Sequence, residues 1–161
     1  MDTVKKSIEV DVPVSTAYNQ WTQFEEFPKF MKGVEEVRQL SDRRLHWRAE
    51  FAGVKREWDA EIIEQMPDKR IAWRSTSGPT NNGLVMFESI DGDRCRVTME
   101  VQYDPQGLLE NVADKLGFLS RHVETELKDF KEFIESRGKE TGAWRGQIFE
   151  KEQPPEHYAG E

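Results

Sequence analysis

The feature that most restricts how this chain can fold is a long apolar stripe near its C-terminus. Val112, Leu116, Leu119, Val123, Leu127, Phe130 and Ile134 recur at steps of three and four, while Lys128, Asp129, Lys131, Glu132 and Glu135 fall on the opposite side. That spacing predicts an amphipathic helix from just after the Asp104-Pro105-Gln106-Gly107 break to about Arg137, stopped by Gly138. A helix with so long a stripe is stable only when that face lies on an equally broad apolar surface. The rest of the chain has to supply it.

The residues between 34 and 103 supply a sheet. Leu45, Trp47, Ala49 and Phe51 alternate with His46, Arg48 and Glu50, and Trp58, Ala60 and Ile62 alternate with Glu57, Asp59 and Glu61. Cys95, Val97, Met99, Val101 and Tyr103 do the same against Arg96, Thr98, Glu100 and Gln102. Period-2 alternation gives each strand one dry and one wet face. Turn residues at Ser41-Asp42, Gly53, Pro67-Asp68, Ser77-Gly78-Pro79 and Asp91-Gly92-Asp93 separate these runs, so neighbours pair antiparallel in a meander. Ile8, Val10 and Val12 mark a further strand over residues 4–12, ended by Pro13. Ser15 is placed as an N-cap, and Ala17, Tyr18 and Trp21, then Phe24, Phe27 and Phe30 around Pro28, read as two short helices over residues 15–31. The expectation is an α+β fold: a curved antiparallel sheet of about seven strands, two short helices after the first strand, and the long helix packed over the sheet.

Composition limits what such a domain can do. At 161 residues the chain suits one domain, taken here as residues 1–138. Residues 139–161, rich in charge, Gly and Pro with isolated Trp144, Ile148, Phe149 and Tyr158, read as a flexible or loosely docked tail. A net charge of −8 argues against nucleic acid, whose phosphates need a basic field, and against an anionic membrane surface. A single cysteine forms no internal disulfide, and the opening residues Met1 to Lys6 lack the apolar core of a signal peptide. No run approaches a membrane span, so the expected location is cytoplasmic without stable membrane insertion. Five Trp and nine Phe concentrate the apolar area in large side chains that either fill a core or line a pocket.

The element order is the helix-grip arrangement, and particular residues carry a resemblance. Trp21 with Phe27-Pro28-Lys29-Phe30-Met31, His46-Trp47-Arg48-Ala49, Arg56-Glu57-Trp58, Ile71-Ala72-Trp73-Arg74-Ser75, Gly83 with Phe87, Tyr103-Asp104-Pro105 and Asp129-Phe130-Lys131 resemble the polyketide cyclase/dehydrase branch of the START-like (SRPBCC) superfamily. The resemblance covers roughly residues 3–137. It implies the same helix-grip fold and a spread of activities: aromatase/cyclases, quinone-binding chaperones, lipid carriers and co-chaperones. Three readings follow from it and from the residues. The first is a module that binds or carries a lipid, quinone or polyketide-like molecule beneath the helix. The second is a cyclase, aromatase or dehydratase. The third is an interaction or co-chaperone protein whose tail docks a partner or mediates a homodimer.

The candidate site lies on the sheet face turned to the helix. Trp47, Phe51, Trp58, Trp73, Phe87, Met99, Val101 and Tyr103 are expected there, with Phe118, Leu119 and His122 facing them from the helix. So many large aromatics beneath one helix predict a cavity of a few hundred Å3 in order of magnitude, mostly apolar. Three polar residues are candidates for chemistry. Arg56 shares the parity of Trp58, and the resemblance implies a pocket arginine that polarises a polyketide chain; its place near the Gly53 turn, between Lys55 and Glu57, favours a solvated charge instead. Tyr103 offers a hydroxyl at its strand's end, and His122 either an acid or base or a half-exposed helix histidine. No His/Cys pair has metal-ligand spacing, no phosphate loop is present, and no cofactor is expected. Cys95 reads as a buried, inert thiol, and Ser77 to Gly83 as a connector able to gate the pocket.

Overall fold

In the computed structural model, which describes residues 2–104, 109 and 111–149, the alternating segments pair into one seven-stranded antiparallel sheet. The strands are β1 (Asp2–Val10), β2 (Val34–Gln39), β3 (Arg44–Phe51), β4 (Val54–Met66), β5 (Arg70–Ser75), β6 (Asn81–Asp91) and β7 (Arg94–Tyr103), in the order β1-β7-β6-β5-β4-β3-β2. Every consecutive pair from β2 to β7 is joined by a short turn, and β1 closes onto β7. The period-2 parity holds through the inner face: Leu45, Ala49, Phe51, Trp58, Ala60, Ile62, Met99, Val101 and Tyr103 are all buried. A register shift between Ile62 and Glu64 breaks the parity of β4, which is why Gln65 is buried although it lies an odd number of residues after Ile62.

Helix α1 (Val14–Trp21) and a 3₁₀ helix (Phe24–Lys29) follow β1, and α2 (Lys115–Arg137) crosses β1 and β7. The second short helix is 3₁₀ rather than α because Pro28 lies inside it, where an α-helical ladder would need its missing N–H. Ser15 does not cap α1. The helix starts at Val14 behind Pro13 with no side-chain cap, and the Ser15 hydroxyl donates to Asp68 Oδ2 at 3.1 Å. α2 also begins later than the stripe predicts. Asp114 is its N-cap, its carboxylate accepting from the Gly117 N–H at 3.1 Å, so Val112 precedes the helix and Leu116 in the first turn is 49% exposed. From Leu119 onward the stripe is as expected, with Leu119, Val123, Leu127, Phe130 and Ile134 buried. Gly138 ends it in the left-handed conformation at φ +79°, its N–H donating to Ile134 O at 2.9 Å.

Two further expectations change. Asn81 to Gly83 belong to β6, paired with Tyr103, Gln102 and Val101, so the turn-rich connector is shorter than the residue types imply. The segment after Gly138 is, as far as Phe149, pinned to the body. Asn19 Nδ2 donates to Glu140 Oε2 (3.0 Å), Gln20 Nε2 to Thr141 Oγ1 (3.1 Å), and the Trp144 N–H to Thr22 Oγ1 (3.0 Å). Arg145 reaches Asn19 Oδ1 (2.6 Å) and Asp68 Oδ2 (3.0 Å), and Ile148 exchanges backbone hydrogen bonds with Gln65 (2.7 and 2.9 Å). Residues 150–161, including Tyr158 and His157, lie outside the described residues, as do residues 105–108 of the break before α2. Among the described residues no helix is long and apolar enough to cross a membrane.

Candidate functional site

Between the sheet and the helices lies an apolar cavity whose walls come from three directions. Trp21 of α1 and Phe24 and Phe27 of the 3₁₀ helix form one side; Leu45, Trp47, Ala49, Phe51, Trp58, Ile62, Ile71, Trp73 and Met99 form the sheet side. His122 and Glu126 reach it from α2, and Tyr103 from the end of β7. The space open to the centre of a water molecule is ≈ 60 Å3, well below the few hundred expected. The aromatic rings of α1 and the 3₁₀ helix account for the difference, because they fill space that a lone helix over the sheet would leave. Phe27 packs edge-on to Trp21 (5.6 Å between centroids) and to Trp47 (5.8 Å), and Phe130 lies 4.7 Å from Trp21. Trp47 and Trp58 are cross-strand partners with parallel rings, 5.9 Å apart and 2° between planes.

Of the residues expected at the site, Trp47, Phe51, Trp58, Trp73, Met99, Tyr103 and His122 line the cavity. Phe87, Val101 and Leu119 are buried in the surrounding core, Phe87 against Tyr18 and Trp21 at 5.4 and 6.1 Å. Phe118 is half-buried and stacks on the His122 ring at 6.1 Å. Arg56 is half-buried on the Trp58 face of β4, beyond the cavity lining. Trp73 sits where it does because its partner across β5–β6 is Gly83: a Cβ there would stand 2.4 Å from the indole ring. Its N–H donates to Asn81 Oδ1 at 3.2 Å, which places a side-chain amide on the cavity wall.

The polar end of the cavity is the group Tyr103, His122 and Glu126. His122 Nε2 and Glu126 Oε2 are 3.0 Å apart, one turn apart on α2, and their side chains are only 16% and 12% exposed. Burial opposes the charged imidazole, but the adjacent Glu126 carboxylate outweighs it, so the His122 pKa lies above its ordinary value. The Phe51 ring, 5.0 Å from the imidazole, and the Phe118 ring hold the histidine between aromatic faces. Tyr103 is 2% exposed; burial, and secondarily the Glu126 charge, keep its phenol neutral well above the ordinary tyrosine range. Sequence reasoning passed over Glu126, although its position four residues after His122 was a readable signal. Trp21, Phe24 and Phe27 were read as short-helix residues without a role in the cavity, since only the tertiary fold swings them onto it. Cys95 is buried, and desolvation pushes its thiol up to about 11, which makes it inert.

A family model described as polyketide cyclase / dehydrase and lipid transport matches residues 10–132. An uncharacterized 17.2 kDa protein of Streptomyces lincolnensis, from the melC2-rnhH intergenic region, is 50% identical over 149 residues, covering 92% of this chain and 99% of its own. Among solved structures, a START superfamily protein from Mycobacterium smegmatis superposes with a TM-score of 0.75 at 12% identity, covering 84% of this chain and 98% of its own. The Zhui aromatase/cyclase from Streptomyces sp. R1128 gives 0.74 at 13% identity, covering 89% and 99%. At those identities the likeness is one of fold. The chain shares the helix-grip fold of these START-type structures, and the extent of the family match establishes that it belongs to the polyketide cyclase / dehydrase and lipid transport family.

Proposed function

We propose that the protein binds or carries a hydrophobic small molecule, of lipid, quinone or polyketide-like kind, between the sheet and α2. The observation that carries this reading is the convergence of aromatic side chains from α1, the 3₁₀ helix and four strands on one apolar cavity that ends in a small polar cluster. A core serving stability alone has no need of a His–Glu pair at one end of a cavity. Native mass spectrometry of the purified full chain, followed by solvent extraction, tests it. A co-purifying apolar mass, or uptake of an apolar fluorescent probe that Trp58→Ala weakens, is the expected result. No retained mass and no uptake of any apolar probe would remove the proposal.

A second reading, a cyclase, aromatase or dehydratase, is favoured by one specific feature: His122 meets the cavity with a carboxylate at 3.0 Å, an arrangement able to take up and return a proton. In that reading His122 and Tyr103, rather than Arg56, face the substrate. His122→Gln should then abolish turnover of a polyketide-like substrate while Tm stays within a few degrees; undiminished turnover would exclude the role.

A further inference from the structure

Resting on the carrier reading, we infer that the cavity selects neutral aromatic molecules bearing a hydroxyl or carbonyl group, and that Glu126 is the residue that excludes anionic ligands such as carboxylates and phosphate-headed lipids. Among the described residues the lining contains two carboxylates, Glu50 and Glu126, and no lysine or arginine. Glu50 is exposed at the rim, whereas Glu126 is deeply set. Among the described residues, the sole group of the lining able to carry positive charge is His122, and it already faces Glu126 at 3.0 Å. The pair is therefore neutral when the imidazole is protonated and singly negative when it is not. In neither state does it leave a net positive charge for an incoming anion, and a carboxylate drawn to His122 would bring two carboxylates onto one imidazole in a desolvated site.

The same groups suit a neutral ligand. A phenolic or enolic hydroxyl can donate to Glu126, and a carbonyl can accept from His122 or the neutral Tyr103 phenol. Flat ring faces are offered by the parallel Trp47 and Trp58 indoles, and the compact space favours a small fused-ring system over a long acyl chain.

The test uses the full chain and three probes that share one ring system: naphthalene, 2-naphthol and 2-naphthoate, titrated by calorimetry at neutral pH. Any apolar pocket disfavours the ionised probe, so the deciding quantity is how the naphthol-to-naphthoate affinity ratio responds to substitution. Glu126→Gln keeps volume and removes charge; it should lower that ratio by roughly ten-fold, chiefly through tighter naphthoate binding, whereas Glu126→Asp should retain the preference. A ratio unmoved by Glu126→Gln, or a wild type that prefers naphthoate, overturns the inference while leaving the carrier reading intact. Failure of all three probes to bind overturns the inference; the carrier reading falls with it only if the purified chain also retains no apolar mass and takes up no other apolar probe. Should Glu126→Gln not fold, the wild type against Glu126→Asp still decides: a preference lost when the charge is kept contradicts the assignment.

Discussion

At the scale of single residues, one histidine lies on the outer face of the sheet and another on α2, each between acidic or aromatic neighbours, and the two differ in consequence. His46 on the wet face is held by Asp59 Oδ1 at 2.6 Å and Glu57 Oε2 at 3.0 Å, across β3–β4. Those two hydrogen bonds, the Asp59 bond first, raise its pKa. A histidine that binds its proton more tightly when folded adds stability below the unfolded pKa, and that stability is lost as pH rises through the folded value. The Tm gap between wild type and His46→Gln should therefore be wide near about pH 5.5 and shrink toward about pH 8.5. Thermal melts across that range check it; a gap that grows with pH would contradict the assignment. His122 binds its proton tightly for the same kind of reason but faces a cavity, so its protonation bears on ligands as well as on folding.

At the scale of elements, the segment 139–149 contributes more than its composition suggests. Asn19, Gln20, Thr22 and Gln65 are the buried polar residues among those described, and each is hydrogen-bonded to this segment through side chain or backbone. The Arg145 guanidinium also lies 5.5 Å over the Tyr18 ring. The segment lies beyond the family match, which ends at residue 132. Because α1 and the 3₁₀ helix carry Trp21, Phe24 and Phe27 into the cavity wall, its clasp on α1 also steadies the site. Ending the chain at Gly138 would strip partners from several buried groups, each worth about 1–3 kcal/mol when left unpaired. The truncated chain is expected to lose several degrees of Tm and to show faster amide exchange in residues 14–30. An unchanged melt and exchange pattern would mean that the clasp is incidental.

At the scale of the molecule, ligand binding and stability are linked, because the cavity is assembled from the same layers that form the core. A ligand that binds only the folded state stabilises it by about 2.7 kcal/mol at a concentration of 100 Kd, which for a domain of this size is a rise of roughly 5–11 °C in Tm. Scanning calorimetry with a saturating neutral aromatic compound should show that rise in the wild type and a smaller one in Trp58→Ala at equal concentration. An identical shift in both would place the compound elsewhere on the protein.

What the chain determines by itself is its periodicity. The alternation from Leu45 to Tyr103 and the stripe from Leu119 to Ile134 depend only on which side chains tolerate water, so the sheet, its dry face and the helix that covers it were legible residue by residue. Helix starts were less legible: Ser15 looks like a cap and is not one, because a cap depends on backbone geometry rather than residue type. Three things were decided by tertiary structure. The cavity is compact because Trp21, Phe24 and Phe27 are delivered to it from segments distant in sequence from the strands they meet. The 139–149 segment is docked because its partners Asn19, Gln20, Thr22 and Gln65 lie far away along the chain and acquire value as partners only once buried. The His122–Glu126 pair becomes a cavity feature because the rotation of α2 about its axis turns that edge of the helix inward, a quantity set by packing against β1 and β7 and not by spacing along the helix.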